Sequence, residues 1–220
     1  MAIHKTEALI LRRQEVRETS VVLTAYSRHL GKFQGLVKGV RGARSAVPWY
    51  LEPVTLQSVV LYERRRSPWA LVTGCDLVEP FDAIRRDLLR TAYATYFLEL
   101  VEAMTGAGDP SAELYELVVG SLRTLEAGGP PHRLARLLEA RLLRASGLLP
   151  ELDSLALGAE PKALLRQLLT VPLGEAALIP TTPAAEDGLR RFLQGICRSV
   201  LQRELKTRSF LYSVGLEAAA

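Results

Sequence analysis

The sequence GKFQGLVKGVRGARS, residues 31–45, decides the predicted fold of the amino-terminal part. Residues 32–40 have the composition of a strand, and the glycines at 35 and 39 indicate bends or bulges within it. The strand leads into a loop in which Lys38, Arg41 and Arg44 follow one another at three-residue intervals. We therefore predict a bent strand that ends in a basic, glycine-containing loop.

Four further short segments rich in β-forming residues surround this one. A charged turn is expected at Gln14–Glu18, and an Arg64–Pro68 turn separates the last two segments. The four are residues 6–11, 20–26, 54–62 and 69–78. Five short strands with turn signals at close intervals predict a five-stranded antiparallel barrel of the OB type in residues 1–80.

After Glu79-Pro80 the spacing of apolar residues changes to the three- and four-residue steps of amphipathic helices. Helices are predicted over residues 85–104, 111–126, 132–145, 160–169 and 186–205, with a proline-rich loop at 171–183. The predicted fold class is therefore α+β, with a barrel domain in 1–80 and an all-helical domain in 81–220.

Positive charge is concentrated in the predicted barrel. The whole chain carries a net charge of +4, whereas residues 1–80 hold 12 Lys and Arg against 7 Asp and Glu, and residues 81–220 hold 16 against 17. A local field of one sign attracts polyanions. No apolar run approaches the ~18 residues of a membrane span, and no signal-peptide pattern is present, so a cytoplasmic protein is expected. Two cysteines are too few for a disulfide scaffold or a four-thiolate zinc site, and both are expected to be buried and inert.

The basic loop has two interpretations. Its glycines would allow close approach to a phosphate strand, its cations would follow successive phosphates, and Trp49 and Tyr50 would offer stacking faces for unpaired bases. Alternatively, it is a solvated loop whose aromatic residues pack into the barrel, which is the more usual fate of each aromatic. Charge and spacing alone leave both interpretations open.

A second basic cluster, Arg198, Arg203, Lys206 and Arg208, lies near the carboxyl terminus. It would extend a DNA path, although cations at a helix end are also favoured by the helix dipole. Arg64, Arg65 and Arg66 are better explained as a solubilising turn.

Nothing in the sequence indicates catalysis. His4, His29 and His132 are scattered, and the chain has neither a phosphate-cradling Gly-x-x-x-x-Gly-Lys-Ser/Thr loop nor a His-Glu-x-x-His pair. We therefore expect a protein that is not an enzyme and needs no cofactor.

An ordered series of motifs resembles the bacterial RecO family of recombination and repair mediators. The motifs are HKTEALIL (4–11), ETSVVLT (18–24), YSRHLGKF (26–33), KGVRGARS (38–45), LEPV (51–54), residues 87–100 and RELKTRSFL (203–211). The last is similar to a terminal Lys-Ser/Thr-Arg-x-x-Leu signature of that family. The resemblance spans most of the chain in order.

The resemblance implies an OB barrel, a helical domain and binding to single- and double-stranded DNA. It also implies annealing of complementary strands and, with the partner RecR, replacement of single-strand-binding protein by RecA. The DNA-binding residues that we expect are Lys32, Lys38, Arg41, Arg44, Arg28, Arg203, Lys206 and Arg208.

One departure from the family concerns metal. Many members carry a four-cysteine zinc module after a Gly-x-x-Pro-x-Leu sequence, which corresponds here to Gly147–Leu152. Residues 153–180 contain no cysteine, and Leu155 and Leu157 stand where the first thiolate pair would be expected. We therefore predict that this region folds without metal.

The main alternative is a protein–protein adaptor that binds RecR or the acidic tail of single-strand-binding protein, with DNA contact secondary. A hydrophobic groove beside cations in residues 81–220 would suit such a tail. A hydrolase that uses one of the histidines is a remote third possibility.

Overall fold

The computed structural model describes residues 2–40, 51–63 and 67–216. They form two compact units. The first consists of residues 1–81 together with 105–116, and the second consists of 82–104 together with 117–220.

The first unit contains a closed five-stranded barrel. Its strands are β1 (Ile3–Arg17), β2 (Ser20–Ser27), β3 (Gly31–Lys38), β4 (Leu56–Tyr62) and β5 (Ala70–Glu79), joined in the order β1-β2-β3-β5-β4. This confirms the predicted OB-type barrel. The prediction of a wholly antiparallel barrel is wrong at one pair, because β5 closes the barrel alongside β3 in the same direction.

The predicted turn at Gln14–Glu18 is also wrong, because β1 continues to Arg17 and the turn lies at Glu18-Thr19. The first half of β1 pairs with β4 and the second half pairs with β2. Two shifts in the β1–β2 register, at Ile10/Arg12 and Glu15/Arg17, mark bulges that bend the strand. The long, charged strand β1 therefore pairs with both β4 and β2, whereas the predicted segment 6–11 is too short to pair with both.

The barrel interior is filled by aliphatic side chains from all five strands, among them Ile10, Leu23, Val37, Val59 and Val72. A Cβ atom on Gly35 would stand 2.6 Å from a methyl carbon of Val72. Glycine at this position therefore lets β3 and β5 approach each other. The strand ends at Lys38, two residues earlier than predicted, because Gly39 adopts a left-handed φ of 71°.

The second unit is helical, as predicted. The α-helices among the described residues are α1 (Asp82–Arg85), α2 (Leu88–Met104), α3 (Ala112–Glu126), α4 (Pro131–Ala145), α5 (Ala159–Thr170), α6 (Pro183–Leu201) and α7 (Lys206–Ser213). The predicted single helix over 186–205 is wrong at its end: α6 stops before Gln202, whose φ of 52° is left-handed, and α7 is separate. The predicted loop 171–183 contains a short 3-10 helix, Leu173–Leu178. None of the helices described is long and apolar enough to cross a bilayer.

Candidate nucleic-acid interface

The outer face of β3 presents the basic side chain on which the predicted interface depends. Phe33, Gly35 and Val37 contribute to the interior side of the strand, whereas Gln34 and Lys38 are exposed on the other side. The Lys38 side chain makes no hydrogen bond or ion pair with any residue that the structure describes, and it is exposed. The Lys38 ammonium is therefore available to an anion from solvent.

A row of side chains crosses three strands beside this lysine. Arg12 pairs with Thr24 and Thr24 pairs with Gln34, so the three lie side by side across β1, β2 and β3. The Arg12 guanidinium contacts Thr24 Oγ1 at 3.4 Å, and the Trp69 indole N–H donates to Gln34 Oε1 at 3.1 Å. The row thus combines a cation, polar groups and an aromatic ring on one outer face.

The turn between β1 and β2 lies next to Lys38. Ser20 pairs with Lys38, and the carbonyl of Thr19 accepts from the backbone N–H of Val40 at 2.9 Å. In OB folds the face of strands 2 and 3, together with the β1–β2 and β4–β5 loops, binds oligonucleotides. Lys38 stands beside the first of these loops, and Trp69 lies in the second.

Two of the predicted DNA-binding residues, Arg28 and Lys32, contact other groups of the barrel unit through their side chains. Arg28 is half exposed and its guanidinium lies 3.1 Å from a carboxylate oxygen of Glu116. The Lys32 ammonium donates to the carbonyl of Thr105, and the Lys32 carbonyl accepts from Gly108. These contacts fasten the segment 105–116 to the β2–β3 hairpin, and any contact of these two residues with DNA remains a prediction.

Arg41 and Arg44 lie outside the described residues, as do Trp49, Tyr50 and Arg64–Arg66. Their proposed roles rest on the sequence alone.

The carboxyl-terminal basic residues divide into two kinds. Arg203 and Lys206 are exposed, whereas Arg208 is 6% exposed and donates to Gln194 Oε1 at 2.8 Å and to the hydroxyl of Tyr212. The buried Arg208 guanidinium is thus occupied by internal partners. The structure contradicts its predicted place at a DNA surface, and we remove it from the proposed interface.

The terminal Lys-Thr-Arg-x-x-Leu signature has a structural explanation. The Glu99 carboxylate accepts from the backbone N–H groups of Lys206 and Thr207 at 3.0 and 2.8 Å, and so satisfies the first turn of α7. Leu211 of the same helix is fully buried. The signature therefore attaches α7 to α2 through its backbone and the Thr207 hydroxyl, which also donates to Glu99, and to α6 through its arginine, which donates to Gln194.

Residues 147–180, where the resemblance would place a zinc module, do not fit a metal. Residues 147–180 contain neither cysteine nor histidine, and no group of potential metal ligands occurs among the residues that the structure describes. Instead, two arginines of α4 donate hydrogen bonds to backbone carbonyls of residues 168–179. Arg133 donates to the carbonyls of Ala176 and Ile179, both at 3.0 Å, and Arg141 donates to those of Leu168, at 2.9 Å, and Val171.

The thiols and the imidazoles show the environments expected of structural groups. Cys75 and Cys197 are buried and free, which confirms the prediction, and burial raises the pKa of each thiol to about 12. His132 Nδ1 lies 2.6 Å from the Tyr93 hydroxyl, and His4 contacts Glu63 at 3.2 Å. No nucleophile adjoins an imidazole in these contacts.

Sequence reasoning missed Arg12 and Trp69 as candidate site residues. Arg12 stood just before a predicted turn, and Trp69 opened a strand after a basic hairpin. The signal that could have identified them is the strand order of an OB barrel, which brings β1 and β5 to either side of the β2–β3 pair.

Comparison with known proteins identifies the family. Residues 1–81 match the model of the Recombination protein O N terminal, and residues 85–163 match that of the Recombination protein O C terminal. A DNA repair protein RecO from Syntrophus aciditrophicus is 31% identical over 209 residues, which cover 94% of this chain and 81% of the relative. Those from Pelotomaculum thermopropionicum and Anaeromyxobacter sp. are 29% and 30% identical, over 98% and 96% of this chain and 96% of each relative. The resemblance found in the sequence is thereby confirmed, and the chain belongs to the RecO family.

Proposed function

We propose that this protein acts in DNA repair and homologous recombination as a mediator that is not an enzyme. It binds single- and double-stranded DNA through its amino-terminal barrel domain, anneals complementary strands, and assists the loading of RecA onto DNA coated with single-strand-binding protein, together with RecR. Family membership supports this role, because the relatives are named as DNA repair proteins.

The observation that carries the proposal is the exposed Lys38 at the end of β3, beside the Arg12–Thr24–Gln34 row. Along β2, Ser20 and Thr24 are about 13 Å apart at ~3.3 Å per residue. Lys38 and Arg12 therefore mark two separated positions on one face, which suits an extended chain of phosphates better than a compact anion. Arg41 and Arg44, which lie outside the described residues, follow Lys38 in the sequence and are proposed as further phosphate contacts.

Phosphate contacts would supply most of the affinity without reading the bases. Annealing follows because cations that neutralise phosphates lower the repulsion between two approaching strands. Arg203 and Lys206 of the helical unit are a second proposed contact, since both are exposed.

A salt titration of labelled single-stranded DNA tests the proposal. Each phosphate contact lowers the slope of log affinity against log salt by roughly 0.7 on single strands. Replacing Lys38, Arg41 and Arg44 by Ala is expected to flatten the slope by about two, to abolish most binding and to slow annealing.

The matched control removes Arg144, Lys162 and Arg166 from the helical unit and so makes the same change in net charge. Unchanged DNA affinity in the folded Lys38, Arg41 and Arg44 variant would contradict the assignment of this loop. An equal loss of DNA affinity in the control variant would show that the effect comes from the change in net charge alone.

A second candidate is the adaptor, in which a protein partner occupies the helical unit. Val200 is exposed on α6, Phe210 on α7 and Val214 just after α7, and Arg203 and Lys206 lie on the same stretch of chain. Apolar groups beside cations suit an acidic tail with hydrophobic residues, such as that of single-strand-binding protein. Binding of such a peptide by a protein that does not bind bare DNA would favour the adaptor.

A further inference from the structure

An apolar row crosses the outer side of the barrel from β3 to β1. Leu36 pairs with Leu71, Leu71 with Tyr62, and Tyr62 with Ile3. Ile3 is 61% exposed, and the other three are half-buried. Outward positions on a solvated sheet are normally polar, so four successive apolar residues in one row indicate a ligand with apolar surface.

Trp69 lies next to this row. It immediately precedes Ala70, which pairs with Gly35, and its indole N–H donates to Gln34. Its backbone N–H donates to Ser67 Oγ at 3.1 Å. Tryptophan has a single side-chain donor and no acceptor. Since Gln34 takes that donor, the half-buried ring can offer a ligand only its apolar surface.

The charges around these residues select the chemistry of the ligand. Lys38 and Arg12 stand on the outer face at the β3 and β1 strands, and the exposed Lys5 is paired with Val60 in the row next to Tyr62. Farther along β1 the charge reverses, because Glu7, Ser58 and Asp76 form an acidic row. A polyanion would therefore follow the cations and stop before the acidic row.

We propose that Trp69, together with the row Leu36, Leu71, Tyr62 and Ile3, is a stacking face for the unpaired bases of single-stranded DNA. The inference rests on the proposed DNA binding and deepens it by naming the single-stranded form as the ligand of this face. The bases stack on the indole and the aliphatic row while the phosphates contact Lys38 and Arg12. In a duplex each base is already stacked inside the helix, so this face adds nothing to duplex affinity.

Base–aromatic stacking is sequence-tolerant, because every base has a π-face. The face would thus distinguish single from double strands without distinguishing one sequence from another. Such a preference suits a protein that meets exposed single strands of any sequence.

The first experiment compares the full-length protein with its Trp69→Ala and Trp69→Phe variants, titrated with an oligothymidylate, with an abasic oligomer of the same length and with a duplex. Trp69→Ala is expected to lower oligothymidylate affinity roughly tenfold, within the range for loss of one stacked base. Trp69→Phe keeps a ring and is expected to retain most of the affinity. Affinities for the abasic oligomer and the duplex are expected to change less than about twofold, because their contacts are with phosphates.

Leu88→Ala is the matched control, because it removes a large apolar side chain that is 65% exposed on the helical unit and has no proposed role in binding. It is expected to leave oligothymidylate affinity unchanged. Circular dichroism of each variant verifies that the barrel remains folded.

The second experiment uses the intrinsic fluorescence of Trp69. The chain has two tryptophans, so in a Trp49→Phe background the indole of Trp69 is the sole reporter. Oligothymidylate is expected to quench this fluorescence, whereas the abasic oligomer at saturating concentration is not.

The outcomes separate this inference from the function on which it rests. If Trp69→Ala leaves oligothymidylate affinity intact while loss of Lys38 flattens the salt slope, stacking is refuted and DNA binding stands. If the unmodified protein binds neither DNA form, both fail. Retained DNA binding with loss of an apolar peptide partner or of self-association in Trp69→Ala would assign the face to a protein and overturn the proposal.

Discussion

Several basic residues of the barrel unit and of the helical unit differ in their exposure and in their partners. On the barrel, Lys38 and Lys5 project into solvent. In the helical unit four arginines are less than a tenth exposed, and all bind protein groups: Arg133, Arg136, Arg190 and Arg208. A guanidinium can satisfy several carbonyl and carboxylate oxygens at once. A count of positive charges therefore does not reveal an anion-binding surface until the burial and the partners of each residue are known.

The buried pair of Arg136 and Glu139 provides the strongest test of this contrast. Arg136 Nε lies 2.9 Å from Glu139 Oε2, and the Tyr96 hydroxyl donates to the same carboxylate, which is fully buried. Arg136→Met leaves that charge uncompensated. The free energy of unfolding, measured in urea, is expected to fall by about 3–5 kcal/mol.

The double variant Arg136→Met/Glu139→Gln removes both charges and keeps an acceptor for Tyr96. It is expected to recover more than half of the loss. A single variant within about 1 kcal/mol of the unmodified protein would show that the pair is not a structural element.

The arginine contacts with residues 168–179 predict a smaller effect. Arg141→Met removes hydrogen bonds from a charged donor to two carbonyls and is expected to cost about 1.5–3 kcal/mol. Arg166→Met is the matched control. Its side chain is 56% exposed and pairs with an exposed Asp153, so its loss is expected to change stability by less than about 0.5 kcal/mol.

Exhaustive treatment with a chelator accompanies these variants. Because arginines occupy the carbonyls of this region and no thiolate is present, Tm is expected to be unchanged. A fall in Tm on chelation, or an Arg141→Met variant as stable as Arg166→Met, would contradict a fold held together without metal.

The smallest expected effect distinguishes two cations of the barrel unit. Lys38→Ala is expected to reduce the salt slope of single-strand binding by about 0.7, which corresponds to one phosphate contact. Arg28→Ala is expected to reduce it by less than half as much, since Glu116 already neutralises the Arg28 guanidinium.

Both slopes come from the same fluorescence titration over a series of salt concentrations. Equal reductions would mean that Arg28 leaves Glu116 to bind DNA. A double-mutant cycle on Arg28 and Glu116 is expected to give a coupling below about 1 kcal/mol, as is usual for exposed pairs.

The barrel and the helices could be predicted from local patterns, because strand composition and helical spacing are properties of short segments. The full length of β1 could not, since its charged second half, Gln14–Arg17, is ordered by pairing with β2 rather than by its own preference. The parallel contact of β3 with β5 depends on barrel closure, which no single segment encodes.

The candidate site was predictable in part. Charge indicated the strand end at Lys38, whose side chain is exposed. The charge pattern was misleading at Arg208, because an exposed arginine and a buried arginine are the same in the sequence. They differ only in tertiary contacts. Trp69 was missed for the same reason: only the sheet register places it beside Gln34.

The close approach of the β2–β3 hairpin to residues 105–116 has a consequence for synthesis on the ribosome. Gly31, at a φ of 64°, leaves no room for a Cβ beside the backbone of Asp109, and the Tyr26 hydroxyl donates to the carbonyl of Asp109 at 3.5 Å. After residue 81 has been synthesised, about thirty-five further amino acids must be added before segment 105–116 is complete. At roughly 5–20 residues per second this takes a few seconds. A fragment ending at residue 81 lacks this segment and would leave the Tyr26 hydroxyl, on a side chain that is 1% exposed, without its acceptor at Asp109.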